Sequence, residues 1–328
     1  MIAIIPVAGS GTRLRPLTSS KPKALLHVGS KPIIAHIIDS LLPLGCTKLI
    51  LIIGSEGTNI PQYVKDHYPG IESEVVIQEK QLGLGHAVSL TRNLTESEEI
   101  VVIYGDTIID GDFSEFIDPR FDGVIAVKEV DDPRRFGVIN VIDDVITQFV
   151  EKPSEPQSNL AIVGFNYFKS SQLLFDCLEN IIEGNVKTKG EFQITDAFQL
   201  MVERGARLKP FTIEGWFDCG TPETLLETNR YMLAKEGSSG DIPGSIVIPP
   251  VSIPEDVHVE HSIIGPNVSI GKQAIIEKSI ISDSIIGSGA QVANACIHSS
   301  LIGDNARVIE RSRVLVIGNN SSLDFKIS

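Results

Sequence analysis

From residue 1 to about 235, short β-branched runs alternate with helix-like stretches: IAIIPVA, PIIAHIIDSLLPLG, KLILIIG, PQYVKDHY, SEVVIQ, HAVSLTRNL and EIVVIYGD. Alternation of this kind predicts a parallel sheet covered by helices on both faces. Ligands then belong in the loops at the carboxyl ends of the strands. Met1 to Val7 reads as the first strand: it has no basic leader and too short an apolar core for a signal peptide.

The segment EGSSGDIPG, residues 236–244, reads as a linker, because small, polar and Pro/Gly residues interrupt the apolar pattern. Beyond it the period changes. Three successive 16-residue rows start at Ile270, Ile286 and Ile302; each opens with Ile-Gly and carries Ala at its fifth place and Ile or Val at its seventh. A looser row with one extra residue starts at Ile253, giving about four turns. Apolar positions every five or six residues (Ile270, Ile276, Ile281, Ile286, Val292, Ile297, Ile302, Val308) suit neither a helix nor an ordinary strand. They suit a triangular coil with small corner residues, and the pattern resembles the hexapeptide-repeat left-handed β-helix. The last row degenerates at Arg311 and Arg313, as a capping coil does, and stacked coils of this kind often support homo-oligomers.

Composition narrows the class. At 328 residues, with 42% hydrophobic content, the chain can bury one large domain and a smaller one. A formal charge of −14 argues against a nucleic-acid surface, which requires clustered Lys and Arg. Cys46, Cys177, Cys219 and Cys296 are far apart with no CxxC pair, against a zinc site or disulfide framework and in favour of a reduced, cytoplasmic setting. No run approaches the ~18 apolar residues that span a bilayer, so no membrane partner is expected.

Chemistry concentrates first in GSGTRLRPLTSSKPKALL, Gly9 to Leu26. The glycines allow a tight turn in which successive N–H groups face one anion, and Arg13 adds a fork of donors suited to phosphate. Lys23, between Pro22 and an apolar Ala-Leu-Leu run, is held by a stiff segment. Yet the loop lacks the Lys-Ser/Thr pair of a triphosphate-hydrolase loop and the third glycine of a dinucleotide fingerprint. Asp106 ends a near-continuous apolar strand, where a carboxylate packs badly but holds a metal well.

The ordered set AGSGTRLRPLTSSKPKALL, VIQEKQLGLGHAV, IVVIYGDTII, DDPRRFGVI, FVEKP, GEFQITD and WFDCGTPETL resembles the sugar-1-phosphate nucleotidyltransferases, several of which carry a C-terminal left-handed β-helix. The resemblance implies an α/β fold with a Rossmann-like, mixed but mostly parallel sheet in a catalytic domain over 1–235. A linker over 236–244 and a β-helix domain of about four coils over 245–328 would follow. It also implies the reaction: a nucleoside triphosphate and a sugar 1-phosphate give a nucleotide-sugar and pyrophosphate, with Mg²⁺ as cofactor.

By that resemblance Ala8, Gly9, Ser10, Gly11 and Thr12 wrap the triphosphate, with Arg13 at the departing pyrophosphate. Lys23 bridges the α-phosphate and the sugar phosphate, and Asp106 and Asp218 hold the metal. Gln78 and Gly83 read a pyrimidine base; Gly137, Glu151, Lys152, Val163, Gly164 and Glu191 form the sugar and sugar-phosphate pocket, Lys152 contacting the phosphate. The QLGLGHA loop is close to uridylyltransferases acting on N-acetylglucosamine 1-phosphate, with Leu84 where those show Thr. FVEKP instead looks like glucose-1-phosphate thymidylyl- and uridylyltransferases, and Ile162 stands where acetamido-sugar enzymes have Asn.

The expected activity is transfer from UTP or dTTP to glucose 1-phosphate. Two alternatives remain: an N-acetylglucosamine-1-phosphate enzyme, with or without acetyltransferase activity in the coil, and a non-catalytic scaffold of the same architecture. The second is opposed by Arg13, Lys23, Asp106 and Asp218 all being in place. His86 and Asp196 have ready structural explanations, a turn and a helix start.

Overall fold

The computed structural model describes residues 1–54, 57, 59–95, 97–236, 241–311 and 317. Residues 237–240 of the expected linker, and Arg313, lie outside the described residues. Two compact units emerge, Met1–Thr228 and Asn229–Ser328. Their division falls inside one helix.

In the first unit, β1 (Ile2–Pro6) leads through the opening loop and a hairpin, β2 (His27–Val28) and β3 (Lys31–Pro32), into α1 (Ile33–Leu41). Then come β4 (Lys48–Ile53), α2 (Asn59–His67), β5 (Glu72–Ile77), α3 (Leu84–Ser89), β6 (Ile100–Ile103) and β7 (Thr107–Asp110). The later part holds β8 (Gly123–Glu129), β9 (Gly137–Ile142), β10 (Val145–Glu151), β11 (Leu160–Phe168), α4 (Ser171–Glu183), α5 (Ile194–Glu203), β12 (Leu208–Thr212), β13 (Gly215–Asp218) and α6 (Pro222–Glu236).

The main sheet is mixed, in the order β10-β9-β11-β6-β1-β4-β5, with β8 on β11 and β12 on β8. Strands β6, β1, β4 and β5 are parallel, whereas β11 runs antiparallel to β6 and β8. Alternate residues (Ile2, Ile4, Ile50, Ile52, Ile100, Val102) share one apolar cluster with Val88 of α3, Phe175 of α4 and Phe198 of α5. The intervening Ala3, Ile5, Leu49, Leu51 and Val101 are equally buried, so these strands are covered on both faces, as their unbroken apolar runs require. The chain passes from β1 outward to β4 and β5, then returns to lay β6 on the other side of β1. This reversal opens a crevice at the strands' carboxyl ends. The loop after β1 and Asp106 after β6 flank it.

The second unit stacks three four-stranded parallel sheets. Its strands are β14 (Ile246–Val247), β15 (Val251–Ser252), β16 (His258–Glu260), β17 (Ile263–Ile264), β18 (Val268–Ile270) and β19 (Ile275–Glu277). They continue as β20 (Ile280–Ser282), β21 (Ser284–Ile286), β22 (Gln291–Ala293), β23 (Cys296–His298), β24 (Leu301–Ile302) and β25 (Arg307–Ile309). Each sheet takes every third strand, as in a hexapeptide-repeat left-handed β-helix. Inside, Ile264, Val268, Ala274, Ile276, Ile281, Ile286, Ala290 and Val292 stack, with Ile302 and Val308 against their end. Pairing steps by 17 residues from Ile246 to Ile263 and Ile280, then by 16 to Cys296. Val268 to Ser284 is already a 16-residue step, which puts the extra residue of the looser row at the Gly265–Asn267 corner. Corner residues His261, Lys278 and Asn294 repeat a left-handed backbone from coil to coil. Within the second unit, which begins at Asn229 in the latter half of α6, Arg230 makes a two-point ion pair with Asp283, Nε at 2.5 Å and Nη2 at 2.7 Å.

All four cysteines are free, Cys46, Cys177 and Cys219 buried and Cys296 exposed. Among the described residues no helix is long and apolar enough to cross a membrane.

Candidate active site

The opening loop is held from three sides. Val7 N–H donates to the Ile52 carbonyl at 2.8 Å, the Thr18 hydroxyl to the Gly11 carbonyl at 2.8 Å, and the Gln81 amide to the Ala8 carbonyl at 2.9 Å. A 3-10 turn over Thr12–Leu14 buries Leu14 and leaves Arg13 pointing outward. A second turn, Lys23–Leu25, begins right after Pro22, and burial of Ala24 and Leu25 anchors it. Its lysine is nearly enclosed, 11% exposed, and Nζ lies 2.8 Å from Oδ2 of Asp106, itself 46% exposed.

Asp106 and Asp218 meet through a two-stranded antiparallel ribbon, β7 with β13, in which Asp218 pairs with Thr107. Cys219 N–H donates to the Asp106 carbonyl at 3.1 Å and closes the ribbon beside both carboxylates. Burial, and then the charge of Asp106, push the Asp218 carboxyl above the usual aspartate range; Lys23, Arg13 and Arg135 oppose that rise. A Cβ at Gly220 would stand 2.8 Å from both Arg13 Nη2 and Asp218 Oδ1, so Gly220 leaves the space in which these groups approach. Two carboxylates that repel each other beside the glycine-bearing opening loop suit a hard divalent cation such as Mg²⁺.

Lys23, Asp106 and Gly220 line a cavity of about 430 Å³ together with Ala8, Gly9, Gly11, Thr12, Arg13, Gln78, Gly83 and Glu191, whereas Asp218 stands outside its lining. Ser10 instead lines an adjoining cavity behind the loop, with Arg15, Ser19, Ser20 and Lys21. Gln78 is buried, its amide donating to the Gly83 carbonyl at 3.3 Å, so it both faces the cavity and shapes its wall. Gly83 has φ +115°, and a Cβ there would lie 2.6 Å from the Phe192 carbonyl oxygen. That close approach is sealed by Gly85 N–H to Phe192 O and Phe192 N–H to Leu82 O, which bring Glu191 to the same cavity. Burial lowers the pKa of the His86 imidazole, whose Nδ1 lies 3.3 Å from the Gln78 amide nitrogen.

The sugar-side residues form a second cluster. Glu151, at the end of β10, is clamped by the Thr195 hydroxyl at 2.8 Å and lies 3.4 Å from Lys152 Nζ. A Cβ at Gly137 would come within 3.0 Å of Glu151 Oε2. Gly164 has φ +83°, and a Cβ there would penetrate the ring of Tyr104, a cavity residue whose N–H donates to the Gly164 carbonyl at 2.9 Å. Val163 is 1% exposed as a whole residue and belongs to the core, so it presents no open surface to a ligand. Asp196 sits in the first turn of α5, as a helix-start residue does, but one carboxylate oxygen is buried without a partner and burial raises its pKa.

Sequence reasoning missed Thr18, Gln81, Tyr104, Thr195 and Arg135. Arg134 and Arg135 are neighbours of one type, yet Arg134 is tied to Asp132 at 2.7 Å while the charge of Arg135 reaches Asp218. No local pattern separates the two.

The nucleotidyl transferase family model matches residues 2–235. Across 98% of its length the chain is 30% identical to a low-salt glycan biosynthesis nucleotidyltransferase of Haloferax volcanii, covering 99% of that protein. It is 36% identical to the UTP–glucose-1-phosphate uridylyltransferase AglF of the same organism, over 70% of this chain and 96% of the relative. With the bifunctional protein GlmU of Methanococcus maripaludis it shares 35% identity over 81% of its own length, but it spans only 62% of that longer relative. Membership implies a reaction that depends on a divalent metal, and nucleoside triphosphate and sugar 1-phosphate as substrates. The chain thus belongs to the sugar-1-phosphate nucleotidyltransferases of the nucleotidyl transferase family, enzymes that make a nucleotide-sugar and release pyrophosphate.

Proposed function

We propose that the chain transfers a uridylyl or thymidylyl group from UTP or dTTP to glucose 1-phosphate. The observation that carries this reading is the 2.8 Å approach of Lys23 Nζ to Asp106 beside Asp218, at the wall of the cavity under the opening loop. The reactants are both anions, so their encounter needs fixed positive charge. Lys23 supplies it between α-phosphate and sugar phosphate, Arg13 at the departing pyrophosphate, and Lys152 at the incoming phosphate.

A sugar-phosphate oxygen attacks the α-phosphorus in line; the new P–O bond forms as the bond to the β-phosphate bridging oxygen breaks, and pyrophosphate carries that electron pair away. Asp106 and Asp218 would hold Mg²⁺, which when bound supplies further charge to draw the two anions together. Lys23 shifts from its Asp106 pairing toward phosphate, and the clamp of Thr195 on Glu151 fixes a carboxylate for sugar hydroxyls.

Glucose is favoured over an acetamido sugar because Ile162, 6% exposed, presents no polar group to an N-acetyl substituent. The similarity to a UTP–glucose-1-phosphate uridylyltransferase supports the same choice. The N-acetylglucosamine 1-phosphate reading draws on the QLGLGHA loop and the GlmU similarity. An acetyltransferase activity has less support, since His258, His261 and His298 lie on faces or corners of the coil. We further place the protein in the cytoplasm, as an oligomer assembled through its coils. Pyrophosphate release measured for UTP, dTTP, ATP and GTP against glucose 1-phosphate and N-acetylglucosamine 1-phosphate tests the substrate pair. Fastest turnover with a pyrimidine triphosphate and glucose 1-phosphate is expected; a purine preference would overturn the role given to Gln78.

A further inference from the structure

The second unit carries a separate cluster on the outward face of its β16-β19-β22-β25 sheet. Strand alternation sends His258 and Glu260 to the same side while Val259 between them points into the coil core. Parallel register then sets Glu277, one coil later, directly beside Glu260. His261, at the following corner with its left-handed backbone, turns back so that Nδ1 lies 3.0 Å from Glu260 Oε1. Nε2 of His258 is 3.6 Å from Glu260 Oε2. His258, Glu260 and Glu277 each bring one ligand atom within 4.8 Å of the others.

This arrangement is unfavourable without a cation. Paired strands stand ~4.8 Å apart, and like charges directly opposite each other weaken the pairing. Among the described residues neither glutamate forms an ion pair with a lysine or arginine. The chain as a whole is already at −14. Relief comes from an ion whose ligand preference matches two imidazoles and two carboxylates. Mg²⁺ and Ca²⁺ favour oxygen-only sets, whereas zinc-class ions accept nitrogen and oxygen together in a four-ligand shell. Metal–ligand bonds of ~2.1 Å put tetrahedral ligands ~3.4 Å apart, so small side-chain rotations close the separations among His258, Glu260 and Glu277, while His261 approaches through its contact with Glu260.

We propose that His258, Glu260 and Glu277, with His261 as fourth ligand, bind a divalent transition metal of the zinc class that staples the first coil of the β-helix to the second. The ion bridges β16 and β19, so it acts on the stability of the coil stack. It is independent of the site on the first unit and of the substrate chosen there.

The test uses the untagged full chain, stripped with a chelator and dialysed, then titrated with Zn²⁺ and separately with Co²⁺. Millimolar Mg²⁺ is present throughout to compete at the all-oxygen Asp106 and Asp218 pair. One equivalent of Zn²⁺ is expected, with visible Co²⁺ bands of low coordination number and a higher melting temperature for the loaded protein. His258→Ala and Glu277→Gln each lower the affinity at least tenfold and remove the thermal shift; both positions are solvent-accessible, and circular dichroism checks that the coil persists. No binding, binding undiminished in either variant, or binding abolished by the added Mg²⁺ overturns the proposal.

Discussion

The backbone N–H of Cys219 donates to the carbonyl of Asp106 over 3.1 Å and locks together two chain segments that each bring a carboxylate to one point. The cost falls on Asp218, whose carboxyl is pushed up by burial and by Asp106. A carboxyl raised on folding favours the protonated folded state. The contribution of Asp218 to metal-free stability is most favourable below the unfolded value of 3.8 and declines as pH rises through the raised folded value. Asp218→Asn removes that penalty. Thermal melts of the metal-free proteins should show the variant above wild type at neutral pH, the gap closing toward acid, while kcat falls at least ~100-fold.

Gly164→Ala forces a side chain into a left-handed backbone and into the Tyr104 ring. Strain of this kind costs about 1–3 kcal/mol, and displacing Tyr104 also deforms the cavity it lines. Urea denaturation should show the loss of stability, and steady-state kinetics a higher KM for the triphosphate.

Thr195→Val deletes the hydroxyl that donates to Glu151 at 2.8 Å and keeps the side-chain volume. Glu151 is nearly enclosed, its side chain 7% exposed, so its freed oxygen lacks an easy substitute. A hydrogen bond to a charged group contributes roughly 1.5–3 kcal/mol. The expected signature is selective: KM for the sugar 1-phosphate rises about tenfold or more, while KM for the triphosphate hardly moves.

In the coil, Ile281 is fully buried between the layers of Ile264 and Ile297. Ile281→Ala leaves a cavity that neighbouring rungs cannot fill without losing their own pairing, and about 2–5 kcal/mol of stability should go with it. Denaturation followed by circular dichroism would detect it; a loss below ~1 kcal/mol would mean the stack relaxes more than a close-packed interior allows.

The coil and the parallel strands were legible because both are written in local periodicity: unbroken apolar runs in Ile2–Pro6 and Ile100–Ile103, and a 16-residue repeat from Ile270. Even the extra residue of the looser row was visible, though only strand register places it at the Gly265–Asn267 corner. The tight turn of the opening loop was legible from its glycines, and the short turn that carries Lys23 from the proline before it. What sequence could not supply are contacts fixed by register between distant segments. Thr195 reaches Glu151 across 44 residues, and Gln81 reaches Ala8 across 73. Val163 shows the opposite difficulty, since it belongs to a site motif by position while its side chain is in the core.

Lys23 and Asp106 stand 83 residues apart in sequence and 2.8 Å apart in space. The most direct test is pyrophosphate release by Lys23→Ala with the preferred triphosphate and glucose 1-phosphate, alongside calorimetric binding of the triphosphate. Turnover should fall by ~10²–10³, the scale of losing one preorganised transition-state contact, with binding weakened only a few-fold. Turnover at the wild-type rate in that variant would contradict the assignment.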